Sequence, residues 1–184
     1  MLADGSFGRV KAILDRHDGL FIDEVVQAGF GRTRRMFRTD HYRLEPNIMG
    51  MAKGIADGFP LSAFIGPSEI AHRFQPGEQL STFGDNPTRC ARGPTNIQVL
   101  RERQLPERAA ELSMWVADQL RAMAERHPVI GDECGRGLII GIELVRDRPT
   151  KESAPTEAAA VRCACPEHGV LVGVGEQDGN VIRF

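Results

Sequence analysis

No stretch of this chain approaches the roughly 20 consecutive apolar residues that a bilayer-spanning helix requires, and its first residues lack the basic-then-apolar order of a secretory signal. Neither sign of charge dominates. Lys and Arg number 23 against 25 Asp and Glu, a net of −2, and they are spread along the chain, so no basic face suits nucleic acid and no polybasic cluster suits an anionic lipid surface. The four cysteines, Cys90, Cys134, Cys163 and Cys165, lack the paired spacing of a disulfide framework and read as reduced thiols, which with the missing signal implies a cytoplasmic setting. Cys163-x-Cys165 with His168 imitates a metal cluster but has no second ligand pair, so no metal is assigned. These absences leave a globular protein whose partner is a small molecule, or which has none. Its 41% hydrophobic content is enough for a true core within 184 residues.

What is present reads as an α/β layer. Residues 7–16 form an amphipathic helix that exits at His17-Asp18-Gly19, and Leu20 to Val26 follow as a short apolar strand carrying the acidic pair Asp23-Glu24. A Gly- and Arg-rich turn runs from Gly29 to Arg35, Asn47 to Met51 lead into Lys53-Gly54, and Pro60 to Ile65 form another apolar stretch. Pro106 opens the strongest helix, which His127-Pro128 closes. Its residues Leu112, Val116, Leu120 and Met123 recur at helical spacing as a core stripe, with Trp115 packed beside it. Strands are expected over Leu138–Val145, Val170–Val174 and Asn180–Phe184, and a helix over Thr156–Cys165, a small α+β unit. The expected division is 1–100 and 101–184.

Two features carry chemistry. Lys53, at the end of a strand between apolar residues and a glycine, is placed to be desolvated, which makes its amine a nucleophile toward an aldehyde. A buried acidic pair needs a cationic partner. Either a protonated pyridine nitrogen supplies it, or an ion pair with Arg32, Arg34 or Arg35 does; the residues alone leave both open. Gly135-Arg136-Gly137 with Gly141 precedes an apolar strand instead of joining a strand to a helix, and so does not read as a dinucleotide loop.

The string Asp23-Glu24-Val25-Val26-Gln27-Ala28-Gly29-Phe30-Gly31-Arg32-Thr33, then Glu45-Pro46-Asn47-Ile48-Met49, Ala52-Lys53-Gly54 and Gly58-Phe59-Pro60-Leu61, resembles the active-site block of class III pyridoxal-5'-phosphate (PLP)-dependent aminotransferases. Ser81-Thr82-Phe83-Gly84-Asp85-Asn86-Pro87 is similar to that family's Ser-Thr-Phe-Gly-Gly-Asn-Pro segment. Gly135-Arg136-Gly137-Leu138 through Gly141-Ile142-Glu143 resembles its small-domain entry strand, and Asn180 to Phe184 the start of its closing strand. The wording Leu105 to Glu111 leans toward the alanine–glyoxylate or 4-aminobutyrate branches.

The resemblance implies the PLP-dependent transferase fold of type I (aspartate aminotransferase-like), here as the C-terminal part of the large domain (1–100) and most of the small α+β domain (101–184). It implies transfer of an amino group from an amino acid or amine to a 2-oxo acid, in a homodimer whose active site is shared between subunits. Lys53 would hold the cofactor as a Schiff base and move the proton. Gln27 would hydrogen-bond near the phenolic oxygen, Thr82 would reach the phosphate of the neighbouring subunit, and Arg183 would bind a substrate carboxylate.

For the ring-nitrogen carboxylate, counting back from Gln27 and Lys53 points to Glu24 and matching the letters points to Asp23. Only one can meet the ring, since a one-residue shift turns a strand over; chemistry favours Asp23. Arg34 and Asp85 stand where the family has glycine, and Pro94 stands where it has an alanine-rich helix. Family chains are more than twice as long as this one, so the site is expected to be incomplete. A catalytically silent fragment is the competing reading, and a sheet cut in half should leave an apolar, association-prone edge.

Overall fold

A computed structural model describes residues 5–78, 81–175 and 177–184. The chain divides into two compact units, one ending at Glu107 and the other running over Arg108–Phe184.

The first unit is built on a three-stranded sheet. Helix α1 (Ser6–Arg16) comes first, with Phe7 set against Phe21 and Tyr42 at ring-centroid distances of 6.1 and 4.9 Å. Strands β1 (Ile22–Glu24) and β2 (Ile48–Met51) are parallel, with Ile22, Asp23 and Glu24 opposite Ile48, Met49 and Gly50. Strand β3 (Ala63–Ile65) is antiparallel to β2, so the order is β1-β2-β3. The regular part of β1 is shorter than the apolar run Leu20–Val26 suggested. A short helix α2 (Ser68–Ala71) and a long one, α3 (Pro87–Glu102), complete the unit. Asn86 caps α3 by accepting from the Arg89 N–H at 3.3 Å. Ile97 and Leu100 of α3 pack on the core of Val25, Phe30, Met51, Ile55 and Ala56.

The second unit holds most of helix α4 (Leu105–Arg126), with strands β4 (Ile130–Arg136), β5 (Ile139–Asp147), β6 (Glu152–Ser153), helix α5 (Pro155–Ala164), and strands β7 (Gly173–Gly175) and β8 (Val181–Arg183). The sheet is antiparallel in the order β4-β5-β8-β7, with β6 on the far end of β5. Ile140, Ile142 and Leu144 alternate along β5 and meet Ile130, Ile182, Leu120 of α4 and Ala158 of α5 in one core. Asp147 closes the turn after β5 by accepting from the Thr150 hydroxyl at 2.7 Å and its N–H at 2.9 Å, and these bonds hold its carboxyl below the usual carboxylate range. Arg148 ties the end of α4 to the start of β4: it donates to the carbonyls of Ala124 at 2.5 Å, His127 at 3.2 Å and Ile130 at 2.9 Å.

The stripe on α4 differs from its sequence reading. Leu120 is buried, but Leu112 and Met123 are 42% and 38% exposed, and Trp115, expected to pack, is 61% exposed. Helical spacing defines a common face without specifying that anything covers it.

Candidate active site

Lys53 sits two residues beyond β2, opening a 3₁₀ turn over Lys53–Ile55. Its φ of 46° lies in the left-handed region, a costly conformation for a lysine unless its surroundings impose it. They do so here. Ile55 and Ala56 are buried beneath the turn, and Asn96 of α3 donates its amide to the carbonyls of Gly54 and Ile55 at 2.7 and 3.3 Å. Gly54 lies against the Phe30 side chain, where an added Cβ would meet its Cβ and one ring carbon at 3.2 Å. Gly93 likewise lets α3 approach, since a Cβ there would stand 3.1 Å from Leu61. The lysine itself is exposed, on the wall of an open depression of about 800 Å³ that Arg32, Asp57, Phe59 and Ser62 also line.

The acidic pair is split by the alternation of β1. Asp23 is 1% exposed, on the side of buried Phe21 and Val25, whereas Glu24 is exposed on the opposite side with Ile22. Among the described residues, none of Arg32, Arg34 and Arg35 forms the ion pair considered with the acidic pair. Those three are exposed, and the chain returns through a 3₁₀ helix, Arg38–His41, whose Arg38 donates to Asp23 Oδ1. Asp23 Oδ2 is buried and has no hydrogen-bond partner among the described residues. The Arg38 guanidinium also lies 5.1 Å from the Phe7 ring.

Gln27 is exposed three residues beyond β1, and Thr82 is exposed in the turn before α3; with Asp23 they lie outside the depression that Lys53 lines. Arg183, in the other unit, sits on β8 between Gly141 of β5 and Gly173 of β7. A Cβ on Gly175 would stand 2.8 Å from Arg183 Cδ, so the bare backbone of β7 makes room for that side chain. Sequence reading missed this role of the Gly173-Val174-Gly175 pattern, as it missed Arg38 and Asn96.

The family model described as Aminotransferase class-III matches residues 1–184. The chain belongs to the class III aminotransferases. A mitochondrial alanine–glyoxylate aminotransferase 2 homologue of Arabidopsis thaliana is 37% identical over 183 residues, covering 100% of this chain and 38% of the relative. A leucine/methionine racemase of Thermococcus litoralis is 38% identical, over 97% of this chain and 40% of its own length. Among solved structures, a Bacillus anthracis aminotransferase superposes with a TM-score of 0.92 at 34% identity, over 100% of this chain and 44% of that one. The chain thus spans about two fifths of the relatives it matches.

Class III aminotransferases depend on PLP, and the residues present fit that cofactor. Lys53 offers an exposed amine on a constrained turn. Asp23 offers a buried carboxylate with one acceptor, Oδ2, still lacking a donor, as expected of a group that meets a protonated ring nitrogen.

Proposed function

We propose that this chain carries the lysine-bearing part of a PLP-dependent transaminase, which moves an amino group from an amino acid or amine to a 2-oxo acid. The turn of Lys53 carries this reading: its left-handed backbone is held by Asn96, Phe30 and two buried residues, more restraint than a solvated surface lysine requires. Bound PLP supplies an electron sink for the carbanion formed at the substrate's α-carbon.

The rest falls to the chain. Lys53 Nζ would hold the cofactor at its aldehyde carbon and would move the proton at the substrate's α-carbon. Asp23 would accept the hydrogen bond of the protonated ring nitrogen; Glu24, on the opposite face of β1, would not. Gln27 hydrogen-bonds near the phenolic oxygen, Thr82 serves the phosphate of a neighbouring subunit in a cytoplasmic homodimer, and Arg183 binds a substrate carboxylate. In this reading residues 1–100 belong to the cofactor-binding large domain and 101–184 to the small one. The Thermococcus relative, named a racemase, makes use of a 2-oxo acid acceptor part of the test.

The test uses the longest natural form of the chain, as wild type and Lys53→Ala, with absorbance recorded after adding PLP and again after borohydride. A visible band that depends on Lys53 and is bleached by reduction is expected, with amino transfer to a 2-oxo acid lowered about 10²–10⁴-fold in the variant. A folded dimer without that band overturns the reading and leaves the silent fragment in its place.

A further inference from the structure

The Asp23–Arg38 pair is asymmetric. A guanidinium meeting a carboxylate commonly engages both oxygens through two parallel N–H groups. Here Arg38 engages Oδ1 alone, and Oδ2 stays buried without a donor among the described residues. The one-armed contact has a structural basis, because Arg38 is not free to swing square to the carboxylate. Its guanidinium lies over Phe7, which is itself wedged between Phe21 and Tyr42. Its backbone starts a 3₁₀ helix fixed by the Phe37 N–H donating to Asp40 Oδ2 at 2.9 Å.

We propose that Arg38 is a positioning residue of the cofactor site: by holding Oδ1 it fixes the Asp23 carboxylate so that Oδ2 is the oxygen presented to the ring-nitrogen proton of PLP. This rests on the reading above that Asp23 meets the ring. It adds an electrostatic consequence. A permanent cation on the far side of the carboxylate opposes a second cation on the near side, so the ring nitrogen holds its proton less tightly than it would against an unpaired aspartate. Arg38 thereby tempers the electron-withdrawing power of the ring.

The test is ¹⁵N NMR of ring-labelled PLP bound to the longest natural form of the chain, at one pH, in wild type, Arg38→Met, Arg38→Lys, Asp23→Asn and the Arg38→Met/Asp23→Asn double variant. Removing the guanidinium should shift the ring-nitrogen resonance toward the protonated form, raising the protonated-to-unprotonated ratio about tenfold. Arg38→Lys should restore most of the wild-type position. In the Asp23→Asn background, where no carboxylate holds the ring-nitrogen proton, the same removal should shift the resonance far less than it does in wild type.

If Arg38→Met lowers the melting temperature but leaves the resonance in place, Arg38 is a structural strut and the inference fails. If Asp23→Asn itself leaves the resonance in place while Lys53 still binds PLP, the contact assigned to Asp23 fails, and the inference with it. Should Arg38→Met not fold, Phe7→Leu, which loosens the support under the guanidinium, should give a smaller shift in the same direction. No shift there counts against the proposal.

Discussion

Arg34 and Asp85, which the resemblance sets where the family has glycine, both have positive φ, 75° and 55°. An L-residue with a Cβ pays roughly 1 kcal/mol to adopt the left-handed region that glycine enters freely. Both side chains are exposed, so little packing offsets that cost. Arg34→Gly and Asp85→Gly are each expected to raise stability by about 0.5–1 kcal/mol, measured as a higher urea midpoint at unchanged slope. A lowered midpoint would mean that the side chain makes a compensating contact. At this scale the place of Lys53 just past the end of a strand was readable from its neighbours, but the desolvation expected of it was not, since its side chain is exposed. The sequence was silent where the partner arrives from elsewhere. Arg38 reaches Asp23 across 15 residues and Asn96 reaches Gly54 across 42, and neither separation leaves a periodic trace.

Among the elements, helices with an apolar face and clear stops were legible: α1, α4 and α5 begin and end within a residue or so of the expected positions. Strand β4 was not anticipated, because Ile130-Gly-Asp-Glu-Cys-Gly-Arg136 is polar and glycine-rich and becomes a strand through its ladder with β5 rather than through its own propensity. Helix α3 is the instructive case. It runs unbroken through Pro94, which cannot donate to the carbonyl of Cys90 four residues earlier. The helix persists because Gly93 sits against Leu61 and Asn96 bonds the Lys53 turn, so tertiary contacts on either side of the proline fix the segment. Pro94→Ala should therefore stabilise the first unit by about 2–3 kcal/mol, read from thermal or urea unfolding. An unchanged or lowered stability would show that α3 is already bent to fit the proline ring.

On the scale of the whole chain, family and fold were readable because short motifs stand in a fixed order along it, while burial was not, because it depends on what lies against each face. The three-stranded sheet has β1 and β3 as its outer strands, and Ile22, Phe64 and Ile65 on them are 59%, 47% and 66% exposed. A flat edge with unpaired backbone groups beside exposed β-branched and aromatic residues is a template for pairing with another chain. Relatives of known sequence are more than twice this length, and a superposition that covers 44% of the Bacillus anthracis chain leaves more than half of that protein to lie elsewhere. On its own, the 184-residue chain is therefore expected to self-associate through this sheet, with a light-scattering mass that rises with concentration. Charge at the two edges distinguishes this route from general stickiness. Ile22→Lys with Ile65→Lys should return the mass toward one chain, whereas Leu112→Lys with Trp115→Lys, on the exposed face of α4, should leave the association in place. If the α4 pair alone abolishes it, the helix face and not the sheet edge is the surface through which copies meet.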